Sequence, residues 1–396
     1  MAGSGNSSLH KAKDAKHDEF YTQLSDIENE LQHYKDHFRG KVVFCNCDDP
    51  YESNFFKYFI LNFNYLGLKK LITTCYSTSP VAGTQISLFD DPSPNNSAHP
   101  YKVEIDHVED LTGNGAIDLD DIQLLLKTPG IVQTLEGDGD FRSAECIELL
   151  KKADIVVTNP PFSLFRDYVS LLIEYRKQFV ILGNKNCITY KEVFPLIRDN
   201  AMWIGATPMS KEMYFDAPDE YINNALEQHK DRTVVKVNGK YMARASAIWF
   251  TNLDHRKRHE ELDLFKRYRK HEDEYPHYDN YDAVEVSKVS EIPYDYDGVM
   301  GVPITFMDKY NPEQFSIIGL APERLAETES SLQLKRYRNA IQHKKDGSTC
   351  SGNKVNDGPT LLHDIPPDKF PYYTSETVPN KYIEVLYARI LIRRKD

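Results

Sequence analysis

The sequence predicts an α/β protein whose first two-thirds form a mostly parallel, doubly wound sheet. Three observations predict it. Short apolar runs alternate with amphipathic helical stretches. The connections between successive apolar runs are long enough for right-handed crossovers. The alternation then gives way after about residue 208 to hairpin-like and irregular sequence.

The elements follow in order. Residues 16–38 read as a helix, because Phe20, Leu24, Ile27 and Leu31 recur at helical spacing and Gly40 can cap the end. Residues 41–47 are a short apolar run suited to a buried strand. Residues 51–66 read as a helix stopped at Gly67, and 69–76 as a second strand. Residues 77–129 are rich in Ser, Pro, Asn and Asp and read as an insertion with one helix over 119–127. The alternation resumes with strands at 131–135, 154–158, 178–182 and 202–205, and helices at 143–152, 164–175 and 190–198. Further on, residues 233–245 read as a hairpin turning at Asn238-Gly239. A strand follows at 247–253, and a closing strand at 382–393. Residues 324–380 are polar and read as a second insertion.

Composition narrows the class. Hydrophobic residues make up 40% of the 396-residue chain and charged residues 27%, as expected of a globular protein with a substantial core. No apolar run is long enough to cross a membrane, and the polar, basic N-terminus lacks the apolar stretch of a secretory signal. The six cysteines are scattered, which fits free thiols in a reducing cytoplasm. Cys45-Asn46-Cys47 reads as core-strand thiols rather than a metal site. The net charge of -12 argues mildly against a nucleic-acid binder, but placement matters more than the total. Basic runs crowd the C-terminal half: Arg256-Lys257-Arg258, Lys266-Arg267-Tyr268-Arg269-Lys270, Lys335-Arg336-Tyr337-Arg338 and Arg393-Arg394-Lys395. Solvated helix faces are the competing reading for each run alone.

The sharpest feature is an apolar strand, 155–158, that runs into Asn159-Pro160-Pro161-Phe162 and then a helix. In an open parallel sheet, ligands bind at the carboxyl ends of the strands. The residue types suit methylation of an aromatic amine such as adenine N6, whose lone pair is delocalised into the ring. The Asn159 side-chain oxygen and the Pro160 carbonyl can accept its two hydrogens and so localise that pair on nitrogen. The prolines stiffen the loop and add no competing N–H donor. Phe162 can stack on a flat base. Average residue usage would produce such a tetrapeptide by chance in roughly 0.3% of chains this long. The competing reading is a Pro-rich strand-to-helix turn with Phe162 plugging the core.

Several further segments carry a family resemblance. They include 9–13, Asp18-Glu19-Phe20-Tyr21-Thr22-Gln23, Cys45-Asn46-Cys47-Asp48-Asp49-Pro50, 54–59, Gly137-Asp138-Gly139-Asp140-Phe141-Arg142-Ser143, 154–165, 188–194 and 297–306. Together they resemble the adenine-specific DNA methyltransferases of the EcoRI type, the modification halves of restriction-modification systems. The resemblance implies a Rossmann-like class I sheet that binds S-adenosyl-L-methionine, with a C-terminal target-recognition region. It implies a flexible N-terminus over 1–13, a catalytic domain over 14–206 interrupted at about 77–130, and a DNA-binding region over 207–396 interrupted at about 324–380.

Carried over residue by residue, Phe20, Tyr21 and Thr22 look like the motif that closes over the methionine end of the cofactor. Asp48 and Asp49 occupy the place of the glycine-rich first loop, where the family departs from methyltransferases at large; a strand-end turn that starts the helix is the competing reading. Asp138, Asp140 and Phe141 resemble the adenine-binding motif, against a plain Gly-Asp turn. Asn159 lies beside the cofactor as well as in the catalytic loop with Pro160, Pro161 and Phe162. DNA contacts are expected from Arg256, Lys257, Arg258, Lys266, Arg267 and Arg269. The implied partner is double-stranded DNA, with the target adenine flipped out of the stack. A cytoplasmic monomer is expected, with a cognate restriction endonuclease encoded nearby but not stably bound. Such loops also methylate guanine amines in RNA and a glutamine amide in protein. A DNA-binding protein that has lost catalysis is a further alternative.

One constellation lies outside the family pattern. Asp110, Thr112, Asn114 and Asp121, with Gly115 between, mimic a calcium loop. Thr112 and the short Asp121 fit it poorly, and a hydrogen-bonded acidic loop before a helix is the alternative.

Overall fold

The computed structural model describes residues 21–47, 53–75, 100–217, 219–227, 233–321 and 332–395. Phe20, Asp48 and Asp49 lie outside the described residues. The chain forms two compact units: residues 1–185 with 204–255, and residues 186–203 with 256–396. The sequence reading placed one division near 206. In the structure, the strands between 213 and 251 pair with elements of the first unit.

The first unit opens with β1 (Tyr21–Thr22), α1 (Leu24–Leu31) and α2 (Lys35–Phe38). β2 (Val42–Cys45) follows, then α3 (Asn54–Leu61), α4 (Phe63–Leu66) and β3 (Lys70–Thr74). The Ser53 side chain caps α3 by accepting from Phe55 N at 3.1 Å. Next come β4 (Tyr101–Ile105), α5 (Leu119–Leu126), β5 (Val132–Thr134), α6 (Ala144–Lys152), β6 (Ile155–Thr158), α7 (Phe165–Glu174) and β7 (Gln178–Asn184). The chain passes through α8 (Phe194–Arg198) of the second unit and β8 (Trp203–Ile204). It completes the first unit with β9 (Met213–Asp216), α9 (Asp219–Glu227), β10 (Val234–Val237), β11 (Lys240–Ala245) and β12 (Ala247–Thr251).

Among the described residues the large sheet runs β5-β4-β3-β2-β6-β7-β12-β8. Its centre, β3-β2-β6-β7, is parallel. β4, β5 and β12 pair antiparallel with their neighbours, so the sheet is mixed rather than mostly parallel. β4 comes from the stretch expected to be a polar insertion. Its Tyr101, Val103 and Ile105 are buried and alternate with Lys102 and Glu104, the two-residue period of a one-faced strand. β2 and β6 are buried along their whole length, and β3 and β7 all but at their ends, which is why they read as unbroken apolar runs. Phe38, Phe55, Phe56 and Phe59 fill the layer beneath, each buried aromatic contributing about 1.5–3 kcal/mol. A second sheet, β1-β9-β11-β10, carries the predicted hairpin. Asn238 and Gly239 both adopt positive φ there, 49° and 88°, as a type I′ turn requires.

The strand pairs described in the second unit are mainly antiparallel, with one parallel pair. β13 (Val284–Glu285), β14 (Met300–Pro303) and β15 (Phe315–Ala321) share a sheet with β21 (Arg389–Arg394) in the order β13-β14-β21-β15. Residues 324–380 were read as a polar insertion, with no elements assigned to them. Their described part instead forms β16 (Ile341–His343), β17 (Thr349–Ser351), β18 (Thr360–His363) and β19 (Tyr372–Thr374), joined by β20 (Tyr382–Val385) in the order β17-β16-β19-β20-β18. These strands are three or four residues long, too short to leave a clear period in the sequence. The single closing strand expected over 382–393 is two strands in two sheets. The chain leaves the first where Leu386 N donates to Pro359 O.

Candidate active site

Because β3, β2, β6 and β7 are parallel neighbours, their carboxyl ends share one edge of the sheet. Asn46 and Cys47 follow β2, Cys75 follows β3, Asn159-Pro160-Pro161-Phe162 follows β6, and Lys185 follows β7. The catalytic-loop residues leave the sheet directly into a turn, with Leu164 N donating to Pro161 O at 2.9 Å. Pro160 is buried, while Asn159, Pro161 and Phe162 are partly exposed. Phe162 also packs on the main core cluster, so it combines a buried edge with an open one.

The structure brings two further motifs to this edge. Gly139 adopts φ +77°, and a Cβ there would lie 2.3 Å from the Cys75 carbonyl oxygen. The turn 137–142 therefore sits hard against the end of β3, an approach only glycine permits. Within it, Asp138 is exposed, accepting from Asp140 N at 3.0 Å. Asp140 and Phe141 are buried. Arg142 Nε and Nη2 hold the Asp140 carboxylate at 2.9 and 2.6 Å. Phe141 is 3% exposed, edge-on to Tyr168 at 5.0 Å and under the Arg142 guanidinium at 5.1 Å. Burial pushes the neighbouring Cys146 thiol up, which marks it as a packed group rather than a nucleophile.

Tyr21 and Thr22 pair with β9, and Asn54 Nδ2 at the start of α3 donates to the Thr22 carbonyl at 2.7 Å. The N-terminal motif is thereby tied to the helix that follows β2. Thr22 is 4% exposed and Asn46 3%. Asn46 Oδ1 accepts from the buried Tyr168 hydroxyl. Thr22 Oγ1 and Asn46 Nδ2 have no hydrogen-bond partner among the described residues. Leaving a buried polar atom unsatisfied costs about 1–3 kcal/mol, so such atoms tend to mark the place of a ligand.

Sequence reasoning missed Asn46, Tyr168 and the neighbourhood of Lys185. Lys185, Ser210, Lys211, Glu212, Arg244 and Ser246 line a cavity of about 590 Å³ in the first unit, at the carboxyl end of β7. Lys185 Nζ donates to Met209 O at 2.5 Å, Lys211 pairs with Asp26 at 2.6 Å, and Arg244 pairs with Glu212. The signal was available: an apolar strand ending in Asn184-Lys185-Asn186 follows the logic applied to Asn159.

The expected DNA contacts divide. Arg256, Lys266, Arg267 and Arg269 are exposed. Lys257 faces Asp308 at 3.6 Å. Arg258 lies 3.6 Å over the Trp203 ring and donates to Asn200 Oδ1 at 2.7 Å, so it serves the packing of the second unit. In the acidic loop, Asp110 accepts from Gly113 N, Asn114 N and Gly115 N, and Asp121 accepts from Thr112 N and Asp118 N. These are bonds of a self-capped loop. No group of His, Cys, Asp or Glu among the described residues is arranged to hold a metal ion.

A mixed α/β sheet with this loop at the edge of its parallel strands is the frame of a methyltransferase. The family model of the adenine-specific methyltransferase EcoRI matches residues 8–395. The chain belongs to that family and is an adenine-specific DNA methyltransferase of the type II class. It is 49% identical over 315 residues to the type II methyltransferase M.EcoRI of Escherichia coli, covering 79% of this chain and 89% of the relative. It is 39% identical over 311 residues to M.MpnI of Mycoplasma pneumoniae, covering 78% and 84%. No solved structure matches the chain. No helix among the described residues is long and apolar enough to cross a membrane.

Proposed function

We propose that the first unit is a Rossmann-like class I catalytic unit that methylates N6 of an adenine flipped out of duplex DNA. The second unit holds the target-recognition surface, and the chain is the modification enzyme of a restriction-modification system. The observation that carries this reading is the shared edge. The Asn159 loop ends β6, and two buried polar atoms have no hydrogen-bond partner among the described residues: Thr22 Oγ1 in β1, which Asn54 ties to the start of α3, and Asn46 Nδ2 just past β2.

S-adenosyl-L-methionine suits that edge and supplies an electrophilic methyl carried on a sulfonium. Tyr21 and Thr22 would hold its amino-acid end, Asn46 would donate to it, and Asp138 would accept from a hydroxyl or amine. Its fit rests on the unsatisfied Thr22 and Asn46 atoms and on the glycine-shaped approach at 139. Asp140, held by Arg142, and Phe141, buried against Tyr168, serve by fixing this turn.

The chain's own residues then do the following. The Asn159 Oδ1 and the Pro160 carbonyl accept the two N6 hydrogens and draw the lone pair onto nitrogen. Phe162 stacks on the purine face. The cavity beyond β7, about 590 Å³, lies within the ~300–1,000 Å³ range of small-ligand pockets. Transfer of the methyl to N6 would break its S–C bond and leave that bonding pair with the cofactor. One N6 proton passes to solvent after transfer, so no base is needed before attack.

The test offers labelled S-adenosyl-L-methionine with duplex DNA, RNA or protein, and digests the product. The expected outcome is N6-methyladenine in DNA alone. Label on RNA guanine or protein glutamine, with none on DNA, would overturn the reading.

A further inference from the structure

We propose that the hairpin of β16 and β17, Ile341–Ser351, is a DNA-binding ribbon. It lies in the major groove of the duplex with the Lys344 and Lys345 ammonium groups on backbone phosphates. The inference rests on the reading of this chain as a DNA methyltransferase and adds a contact surface within its second unit.

The five-stranded sheet has two unlike faces. On one, Tyr373 and Ile383 are buried with Tyr337 and Val355. On the other, His343 stacks on Tyr372 with centroids 4.8 Å apart and planes 11° from parallel, and Tyr382 meets Tyr372 edge-on at 5.7 Å. The His343 stack thus holds β16 in place, and its pairing with β19 fixes the register. β17 is the outer strand, and Thr349, Cys350 and Ser351 are all exposed. The hairpin is rigid on one side and open on the other.

Charge points to the partner. Lys335, Lys369 and Lys381 each pair with a carboxylate of the second unit: Asp279, Glu384 and Asp364. Lys344 and Lys345, at the exposed tip, are in none of the ion pairs among the described residues. The one acid of the tip, Asp346, is turned onto Ser348 N and Oγ at 2.9 and 2.6 Å. In a chain of net charge -12, a tip that sets two ammonium groups, Lys344 and Lys345, against the single carboxylate of Asp346 is a local reversal of sign. Edge protection is the bland explanation for lysines near an outer strand. It fails here, because the outer strand itself is Thr-Cys-Ser and the lysines sit beyond its end. Two strands about 4.8 Å apart with their side chains fit a major groove about 12 Å wide.

The experiment measures binding of the full chain to duplex DNA across a salt series, for the unmodified protein, Lys344→Gln, Lys345→Gln and the double variant. Each phosphate contact contributes about 0.9 to the slope of log affinity against log salt. Each single variant is expected to lower the slope by about 0.9 and the double by about 1.8. The kcat at saturating DNA and the affinity for S-adenosyl-L-methionine stay within about twofold. Thermal melts confirm that the exposed substitutions leave the fold intact. An unchanged slope in a double variant that still methylates DNA would sink the proposal. So would an unchanged slope with a change in oligomeric state by light scattering, since the face would then bind a second copy. Failure of the unmodified chain to methylate DNA would instead remove the reading beneath it.

Discussion

The two units handle buried polar groups differently. In the second unit, Asn280 donates to Gly358 O and accepts from Thr360 N. Glu285 accepts from Arg389, Tyr278 and Ser287, and Asp279 from Lys335 and Tyr337. These residues satisfy one another and lock short strands together. In the first unit, Glu30 is satisfied in the same way, accepting from Tyr34 Oη, Ala206 N and Thr207 N, each at 2.7 Å. Yet Thr22 and Asn46 each keep a buried atom without a hydrogen-bond partner among the described residues. The difference teaches where each unit meets its ligand. A binding unit keeps part of its polar interior incomplete at the site. The second unit comes nearer to completing its interior, with Arg394 Nε a buried atom that has no hydrogen-bond partner among the described residues.

The sharpest way to break this contrast is at the loop itself. Asn159→Ala should lower kcat for methyl transfer by about a thousandfold or more, some 4 kcal/mol, with binding of S-adenosyl-L-methionine nearly unchanged by calorimetry. Near-normal turnover would remove Asn159 from the chemistry.

A smaller effect is expected where the first unit is complete. Glu30→Ala strands Ala206 N, Thr207 N and the Tyr34 hydroxyl, and should cost about 3 kcal/mol or more in chemical denaturation. A loss below about 1 kcal/mol would mean that water replaces the carboxylate freely.

Asn46→Leu sharpens the comparison further. If Nδ2 is reserved for a ligand, the substitution should weaken S-adenosyl-L-methionine by about tenfold; because it also removes the acceptor of the buried Tyr168 hydroxyl, the free protein should lose about 1–3 kcal/mol as well. Equal affinity would argue that the atom is idle.

The smallest effect concerns pH. Burial, with Glu28 nearby, pushes the Tyr58 hydroxyl up to about 12. Its folded value lies above its unfolded value near 10, so its contribution is fully present below pH 10. That contribution is lost as pH rises from about 10 to about 12. Tyr58→Phe should flatten this part of the alkaline unfolding profile; an unaltered profile would place the titration elsewhere.

Much of the first unit was legible because buried parallel strands write themselves as apolar runs, and because Asn159-Pro160-Pro161-Phe162 ends one of them. β4 was not, since its alternating Tyr101, Val103 and Ile105 lay in a stretch judged by its polar composition. The sheet of β16–β20 was hidden for a similar reason. Its short strands depend on cross-strand partners far along the chain rather than on any local period.

The sequence by itself determined the family, the catalytic loop and the alternation that puts this loop at a strand end, because these are written in contiguous residues. Only the tertiary structure decided that Asp140 and Phe141 are buried, that Arg258 belongs to Trp203, and that Thr22 and Asn46 keep atoms without a hydrogen-bond partner among the described residues. Those outcomes turn on which groups meet across the fold, and a side chain's partners are set by packing rather than by its place in the chain.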